Sequence, residues 1–365
     1  VSPIHAIYHV RSDARAIETR ARAIAIEQSV EMPVSGIEDK DILDEIVGQV
    51  EDIGEVSRGL FAVRIGLSRA TVGDDAGQLI NMLFGNTSLQ EDVILHDAEF
   101  PGELAAAYGG PNIGLGGLRA RAGAANRALT CSALKPQGLS PAKLAELAAR
   151  FARGGIDYIK DDHGLADQAY SPFATRVEAV AQVLGAVERE TGKRTRYVPS
   201  LTGDLDALRA QMAAVRGAGI DTVMVQPMIA GLSNFHKLVR ENPDVAFFAH
   251  PTLAGTRIAA PLLFGKIFRM LGADALVFPN HGGRFGHSPD TCRDIARTAL
   301  TEWHGLKAAV PVPAGGMSTD RVGEMLDFYG AEVMLLIGGA LLEARERLTQ
   351  ATAAFVAKVQ GYRYG

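Results

Sequence analysis

Cysteine is nearly missing from this chain: there are two in 365 residues, Cys131 and Cys292, far apart and outside any CxxC spacing. That excludes a disulfide scaffold and a zinc finger, fits a reducing compartment and sets the expectation of a cytoplasmic protein. Long apolar runs are missing too. None approaches the ~18 residues a membrane span needs, and no charged-then-apolar start reads as a signal peptide. Positive charge is not in excess: 37 Lys and Arg stand against 42 Asp and Glu, a net charge of −5. Nothing electrostatic favours nucleic acid or an anionic membrane as a partner. A first-turn GxGxxG, the mark of a dinucleotide-binding sheet, is also lacking.

What is present is glycine, 40 residues of it, often paired between apolar runs, as in a protein with many tight βα and αβ turns. The N-terminal third reads as β-α-β-β-α-β. Residues 3–10 alternate as a strand, Asp13 caps a helix to about Ala25, residues 50–54 and 59–68 form a hairpin, 75–84 is helical and 93–97 is a strand. That order is a ferredoxin-like plan. Gly, Ala and Pro crowd 101–127, so a ferredoxin-like α+β domain with its linker is expected over 1–126.

From residue 127 to 365 short apolar runs alternate strictly with helical stretches. Strands are expected at 128–133, 158–160, 196–201, 222–226, 245–249, 275–278, 309–312 and 333–337. Helices are expected at 141–153, 173–190, 205–217, 232–240, 258–271, 290–303, 319–329 and 341 to about 359. Eight β/α pairs in roughly 235 residues predict an α/β fold of the (β/α)8 TIM barrel type, near its usual ~250 residues. In such a barrel chemistry sits on the loops after the strands. On that rim lie Lys135, Lys160, Asp161, Asp162, His163, Thr202, Asp204, Gln226, His250, Asn280, His281, Arg284 and the pairs Gly315-Gly316 and Gly338-Gly339.

The densest point is Gly154-Gly155-Ile156-Asp157-Tyr158-Ile159-Lys160-Asp161-Asp162-His163, where a buried-type strand ends in four polar side chains. Asp162 suits a hard cation such as Mg²⁺, which takes only one or two carboxylates and keeps water for substrate. An ammonium has only donors, so Lys160 could join as a metal ligand only if carboxylated; His163 could add a nitrogen. The plainer alternative is a Lys160–Asp162 ion pair without metal. Lys135 could move a proton near other cations, or simply hold an anionic group. His250 could be catalytic or a hydrogen-bonded structural residue. The two glycine pairs suit a phosphate held by backbone N–H groups after strands seven and eight, or plain turns.

These motifs resemble the large chain of ribulose-bisphosphate carboxylase, and more closely the non-carboxylating RuBisCO-like proteins (form IV). Leu134-Lys135-Pro136-Gln137-Gly138-Leu139-Ser140 is similar to the family's strand-one segment, and the Lys160–Asp162 stretch to its strand-two motif. The resemblance implies a CO₂-derived carbamate on Lys160, Mg²⁺ on Asp162, an active-site lysine at Lys135 and a strand-five histidine at His250. It implies phosphate loops at Gly315, Gly316, Gly338 and Gly339. It further implies a homodimer whose active site lies at the subunit interface, with Glu27 and Asn86 supplied by the partner. The departures are His163 for a glutamate ligand, Gln137 for a second lysine, Pro251 for a phosphate-binding arginine, a strand-six histidine that falls near Val277, and Arg284 for the mobile-loop lysine, an exchange that is not conservative.

The reading is a Mg²⁺-dependent enzyme that stabilises an enediolate on a mono-phosphorylated ketose or 3-keto sugar acid, not a CO₂-fixing one. His163, Gln137 and Pro251 reshape the end where a second phosphate would bind, and Arg284 could hold a substrate carboxylate; together they place decarboxylation or C–C hydrolysis first, hence a lyase or hydrolase. The alternatives are an enolase or isomerase of a 5-methylthioribulose-type phosphate, and a non-catalytic sugar-phosphate binder.

Overall fold

Residues 3–364 are described here from a computed structural model. The first sheet is antiparallel, formed by β1 (Ile4–Arg11), β2 (Gln49–Ser57), β3 (Leu60–Leu67) and β4 (Val93–Glu99) in the order β2-β3-β1-β4. Strict alternation in β1 buries Ile4, Ala6, Tyr8 and Val10 on one face, the period-two pattern of a half-covered sheet. The helices Ile17–Glu27 and Ala76–Phe84 complete the ferredoxin-like plan. Asp75 caps the second by accepting from Gln78 N at 2.7 Å.

Eight parallel strand runs follow: β5 (Leu129–Leu134), β6 (Tyr158–Asp161), β7 (Arg196–Val198) continued by β8 (Ser200–Leu201), β9 (Thr222–Val225), β10 (Ala246–Ala249), β11 (Ala275–Pro279), β12 (Val310–Ala314) and β13 (Met334–Leu336). They form two arcs, β13-β5-β6-β7 and β12-β11-β10-β9-β8. The third run is interrupted at Pro199, which has no N–H to donate; its carbonyl instead accepts from Met224 N at 2.9 Å. Each run sends a buried side chain into one shared core: Cys131, Tyr158, Val198, Met224, Phe248, Val277, Val312 and Leu336. Burying a large apolar side chain of this kind contributes about 1.5–3 kcal/mol. The architecture is therefore an antiparallel α+β domain followed by a TIM-barrel-type α/β domain.

The chain divides into two compact units. The first runs to Gly109 and takes in Ala254–Leu263; the second holds Gly110–Leu253 and the chain from Phe264 onward. The sequence reading puts the change of pattern at 126, whereas the units part at Gly109, inside the stretch read as a linker. Residues 110–126 carry the helix Gly114–Arg121, whose Leu115 and Leu118 join the barrel core. Residues 254–263 belong to the first unit because Leu95 N donates to Arg257 O (3.0 Å) and Ala259 N to Leu95 O (2.9 Å). That pairing also delays the helix expected from 258, which winds as a π-helix over Pro261–Phe268. The last helix is likewise not continuous. Arg345 adopts a left-handed φ of 48°, so a short helix Gly339–Leu342 is followed by a separate one, Leu348–Gln360. Among the described residues no helix is long and apolar enough to cross a membrane.

Candidate active site

The parallel register builds the site. Ala133 of β5 faces Lys160 of β6, and Leu134 faces Asp161. One residue further on, the same register sets Lys135 beside Asp162. Side chains alternate in and out along a strand, so Tyr158, Lys160 and Asp162 point into the barrel and Asp161 points out. Tyr158 lies in the core, its hydroxyl donating to Leu118 O at 2.8 Å. Lys160 and Asp162 stand above it at the C-terminal rim, both buried.

Asp162 is the hub. Its Oδ2 lies 2.5 Å from Lys135 Nζ. Its Oδ1 accepts from Gly164 N at 2.9 Å and from Gln137 Nε2 at 3.2 Å. Burial works against this carboxylate, but the Lys135 ammonium and the Gly164 N–H outweigh it and hold its pKa below the ordinary carboxylate range. The Lys160 amine donates to Asp161 O at 2.9 Å. Burial pushes its pKa down, and Asp162 only partly opposes that. A neutral amine is therefore more accessible to Lys160 than to an exposed lysine.

His163 and His250 stack, with ring centroids 4.6 Å apart and planes inclined by 11°. The ring of His163 stands off from the carboxylate, with Nδ1 3.7 Å from Asp162 Oδ1. His250 Nδ1 is 2.7 Å from Thr252 Oγ1. Burial, reinforced by the charge of Lys160, holds His250 well below the ordinary histidine range, so its imidazole is neutral. His163 is also pulled down, first by burial and then by Lys160, Lys135 and Arg284. Arg284, exposed on the loop after β11, thus exerts its charge on this cluster.

Among the described residues no three His, Cys, Asp or Glu side chains converge on one point. Among the described residues of β5, β6 and their loops, Asp162 is the carboxylate aimed into the cluster, Asp161 being turned outward. A second anionic oxygen donor for Mg²⁺ would have to come from Lys160 as a carbamate, with substrate and water filling the rest. That donor set fits the ion: a buried amine with a lowered pKa stands beside a carboxylate already held as an anion. Asp162 Oδ2 is paired with Lys135, so a cation there competes with that ammonium.

The glycine pairs differ from each other. Gly315 and Gly316 have φ of +80° and +82°, and a Cβ on Gly316 would meet Gly283 Cα at 2.7 Å. Their identity is set by backbone conformation and by the loop after β11 packed on them. Gly338 and Gly339 have open space where a Cβ would stand. No neighbouring atom excludes a side chain there, and the vacant volume suits close approach of a ligand to backbone N–H groups.

Several rim residues have other tasks. Asp161 binds outward, with Tyr197 Oη at 2.7 Å, Ser200 N at 3.1 Å and Arg176 Nε at 3.2 Å. Asp204 caps the helix Leu205–Gly217 by accepting from Ala207 N at 2.9 Å. Asn280 is buried against Met317, Met325 and Tyr329. His281 packs over Phe328 at 4.6 Å. Glu27 and Asn86 lie in the first compact unit and bind each other, Asn86 Nδ2 donating to Glu27 Oε1 at 2.9 Å. Sequence reasoning gave no role to Gly164, Thr252 or Arg176. Arg176 had a readable signal: it falls on the buried face of the helix Phe173–Thr191, where a charge demands a partner.

Residues 114–344 match the model of the ribulose bisphosphate carboxylase large chain, catalytic domain. The chain is 62% identical over 360 residues to a Rhodospirillum rubrum protein named 5-methylthioribulose-1-phosphate isomerase, covering 98% of this chain and 96% of that one. It is 52% identical to ribulose bisphosphate carboxylase-like protein 1 of Rhodopseudomonas palustris, covering 97% of each. The crystal structure of a Rubisco-like protein from Rhodopseudomonas palustris superposes with a TM-score of 0.94 at 50% identity, covering 100% of this chain and 99% of that one. The chain belongs to the ribulose bisphosphate carboxylase large-chain family and is closely related to its non-carboxylating, RuBisCO-like (form IV) members.

Proposed function

We propose that this chain is an isomerase acting on 5-methylthioribulose 1-phosphate or a ketose phosphate of that class. The observation that carries the reading is the rim cluster of Lys135, Lys160 and Asp162, in a chain 62% identical to a protein named for that reaction. Decarboxylation or C–C hydrolysis, placed first on the strength of Arg284 and the reshaped second-phosphate end, gives way: the relative is named as an isomerase, whose product keeps the composition of its substrate.

Isomerisation of a ketose requires removing a proton from the carbon beside the carbonyl and returning one elsewhere on the resulting enediolate. Lys135 Nζ is the group that exchanges that proton. Asp162 orients Lys135 in the free protein. His250, a neutral imidazole locked by Thr252, can share a hydrogen bond with a substrate hydroxyl. The N–H groups around Gly338 and Gly339, with Gly315 and Gly316 beside them, receive the phosphate. Arg284 adds a cation over the cluster. Lys160 as its carbamate and Asp162 would hold Mg²⁺, which supplies Lewis-acid polarisation of the substrate carbonyl oxygen. His163, stacked on His250, remains the candidate third ligand. A homodimer in which a second copy supplies Glu27 and Asn86 completes the proposal.

The test is product analysis. With 5-methylthioribulose 1-phosphate, Mg²⁺ and bicarbonate, the expected product is an isomer of unchanged carbon count. Release of CO₂ or of a carbon fragment would restore the lyase or hydrolase reading. Tight binding without turnover would favour the sugar-phosphate binder.

A further inference from the structure

Gln137 and Gly164 interlock over Asp162. Gln137 Nε2 donates to Asp162 Oδ1 at 3.2 Å, and Gly164 N donates to the same oxygen at 2.9 Å. A Cβ on residue 164 would stand 1.7 Å from Gln137 Nε2 and 2.6 Å from its Cδ. Gly164 is not among the positive-φ glycines, so its backbone does not require glycine. The Gln137 amide, the far end of a flexible side chain, fills the space an alanine methyl would take, so a methyl at 164 would displace that amide. The two residue identities are therefore coupled, and both act on a single carboxylate oxygen.

We infer that Gln137 is a positioning residue: with Gly164 as its seat, it pins Asp162 Oδ1 and leaves Oδ2 alone turned to Lys135 and to any cation that displaces it. A carboxylate held by one oxygen cannot swing about its terminal torsion. A neutral amide does this without adding another ammonium beside Lys135 and Lys160. A lysine at 137, which the resemblance to the carboxylases would supply, would compete with Lys135 for Asp162. The function assigned to the pinned oxygen rests on the metal reading above; the pinning itself does not.

The experiment uses Gln137→Met, of similar length and without a donor, Gly164→Ala, which expels the amide, and, for the thermal comparison, Gln137→Ala alone and combined with Gly164→Ala. Crystal structures of the metal-free proteins give the first readout. In Gln137→Met, Asp162 Oδ1 keeps only the Gly164 N–H as donor, and the carboxylate plane is expected to rotate measurably about that bond from its wild-type orientation. Unchanged Asp162 geometry in Gln137→Met overturns the inference. Mn²⁺ titration followed by EPR in bicarbonate buffer gives the second, with affinity expected to fall about 10–100-fold in both single variants. Wild-type affinity in them also overturns it. Thermal unfolding gives the third: Gly164→Ala should cost less stability when Gln137 is already Ala, and equal cost in both backgrounds contradicts the interlock. If wild-type protein binds no Mn²⁺ while Asp162 still turns in Gln137→Met, the positioning role stands and the metal reading alone fails.

Discussion

Two stretches of one barrel rim are built by opposite means. At β5 and β6 the site is made of side chains, each restrained by several neighbours: Asp162 by Lys135, Gln137 and Gly164, and Lys160 by burial and Asp161 O. At β12 and β13 the proposed phosphate site would be made of backbone, and the relevant feature is the missing Cβ. A side-chain site depends on register and on partners, so it should fail when one partner is removed. A backbone site depends on conformation and open space, so it should fail when atoms are added. The two kinds of site should therefore respond differently to substitution and to acid, from the largest effect to the smallest.

Removing the proposed proton-transfer group should matter most. Lys135→Ala is expected to lower kcat by about 10²–10⁴-fold while circular dichroism stays unchanged, because the side chain is 34% exposed and outside the core. Wild-type turnover in initial-rate assays would remove Lys135 from the chemistry. Next, Arg176→Met leaves Asp161 buried without its cation directly behind β6. Breaking a buried pair in this way costs about 3–5 kcal/mol, to be read by urea unfolding. A loss below 1 kcal/mol would show that Tyr197 and Ser200 suffice for Asp161.

On the backbone side the two glycine pairs should diverge. Gly316→Ala forces a left-handed residue against Gly283 and should cost about 1–3 kcal/mol. Gly339→Ala meets no neighbour, so stability should stay within about 0.5 kcal/mol while the inhibition constant of inorganic phosphate rises. Equal phosphate inhibition in wild type and Gly339→Ala would take the β13 loop out of the phosphate site. The smallest effect concerns pH. The pKa of Asp162 is lower in the folded chain than in the unfolded one. Its contribution is therefore present above the unfolded value and fades as pH falls through the folded one. Urea titrations between about pH 5 and 2 should fall more steeply for wild type than for Asp162→Asn. Parallel curves would mean the Lys135 contact is not held in solution.

The same contrast explains what could be read from sequence. Register sites are partly legible: the strand ending in Lys160-Asp161-Asp162-His163 marks the rim in the sequence, but its four polar residues read as one cluster, and only the structure turns Asp161 outward. A rim position alone does not make that separation, so Asp204, Asn280 and His281 were grouped with the site although they cap a helix, fill a methionine-lined pocket and cover Phe328. Backbone effects are harder to see. Nothing in residues 341–359 announces the left-handed Arg345 that splits the final helix, and nothing local says that 257–259 will pair with β4. The Gln137–Gly164 interlock is invisible for a related reason: residues 27 apart in sequence meet only once the β5 and β6 loops are in register.

Solvent deuterium exchange is the most direct measure of the central claim, that the β5–β6 rim moves a proton on a bound ketose phosphate. Wild-type protein in D₂O with 5-methylthioribulose 1-phosphate, Mg²⁺ and bicarbonate should place deuterium on the isomerised carbon skeleton, and Lys135→Ala should not. Isomer formed by wild type at full rate with no deuterium, or the same labelling in Lys135→Ala, would contradict it.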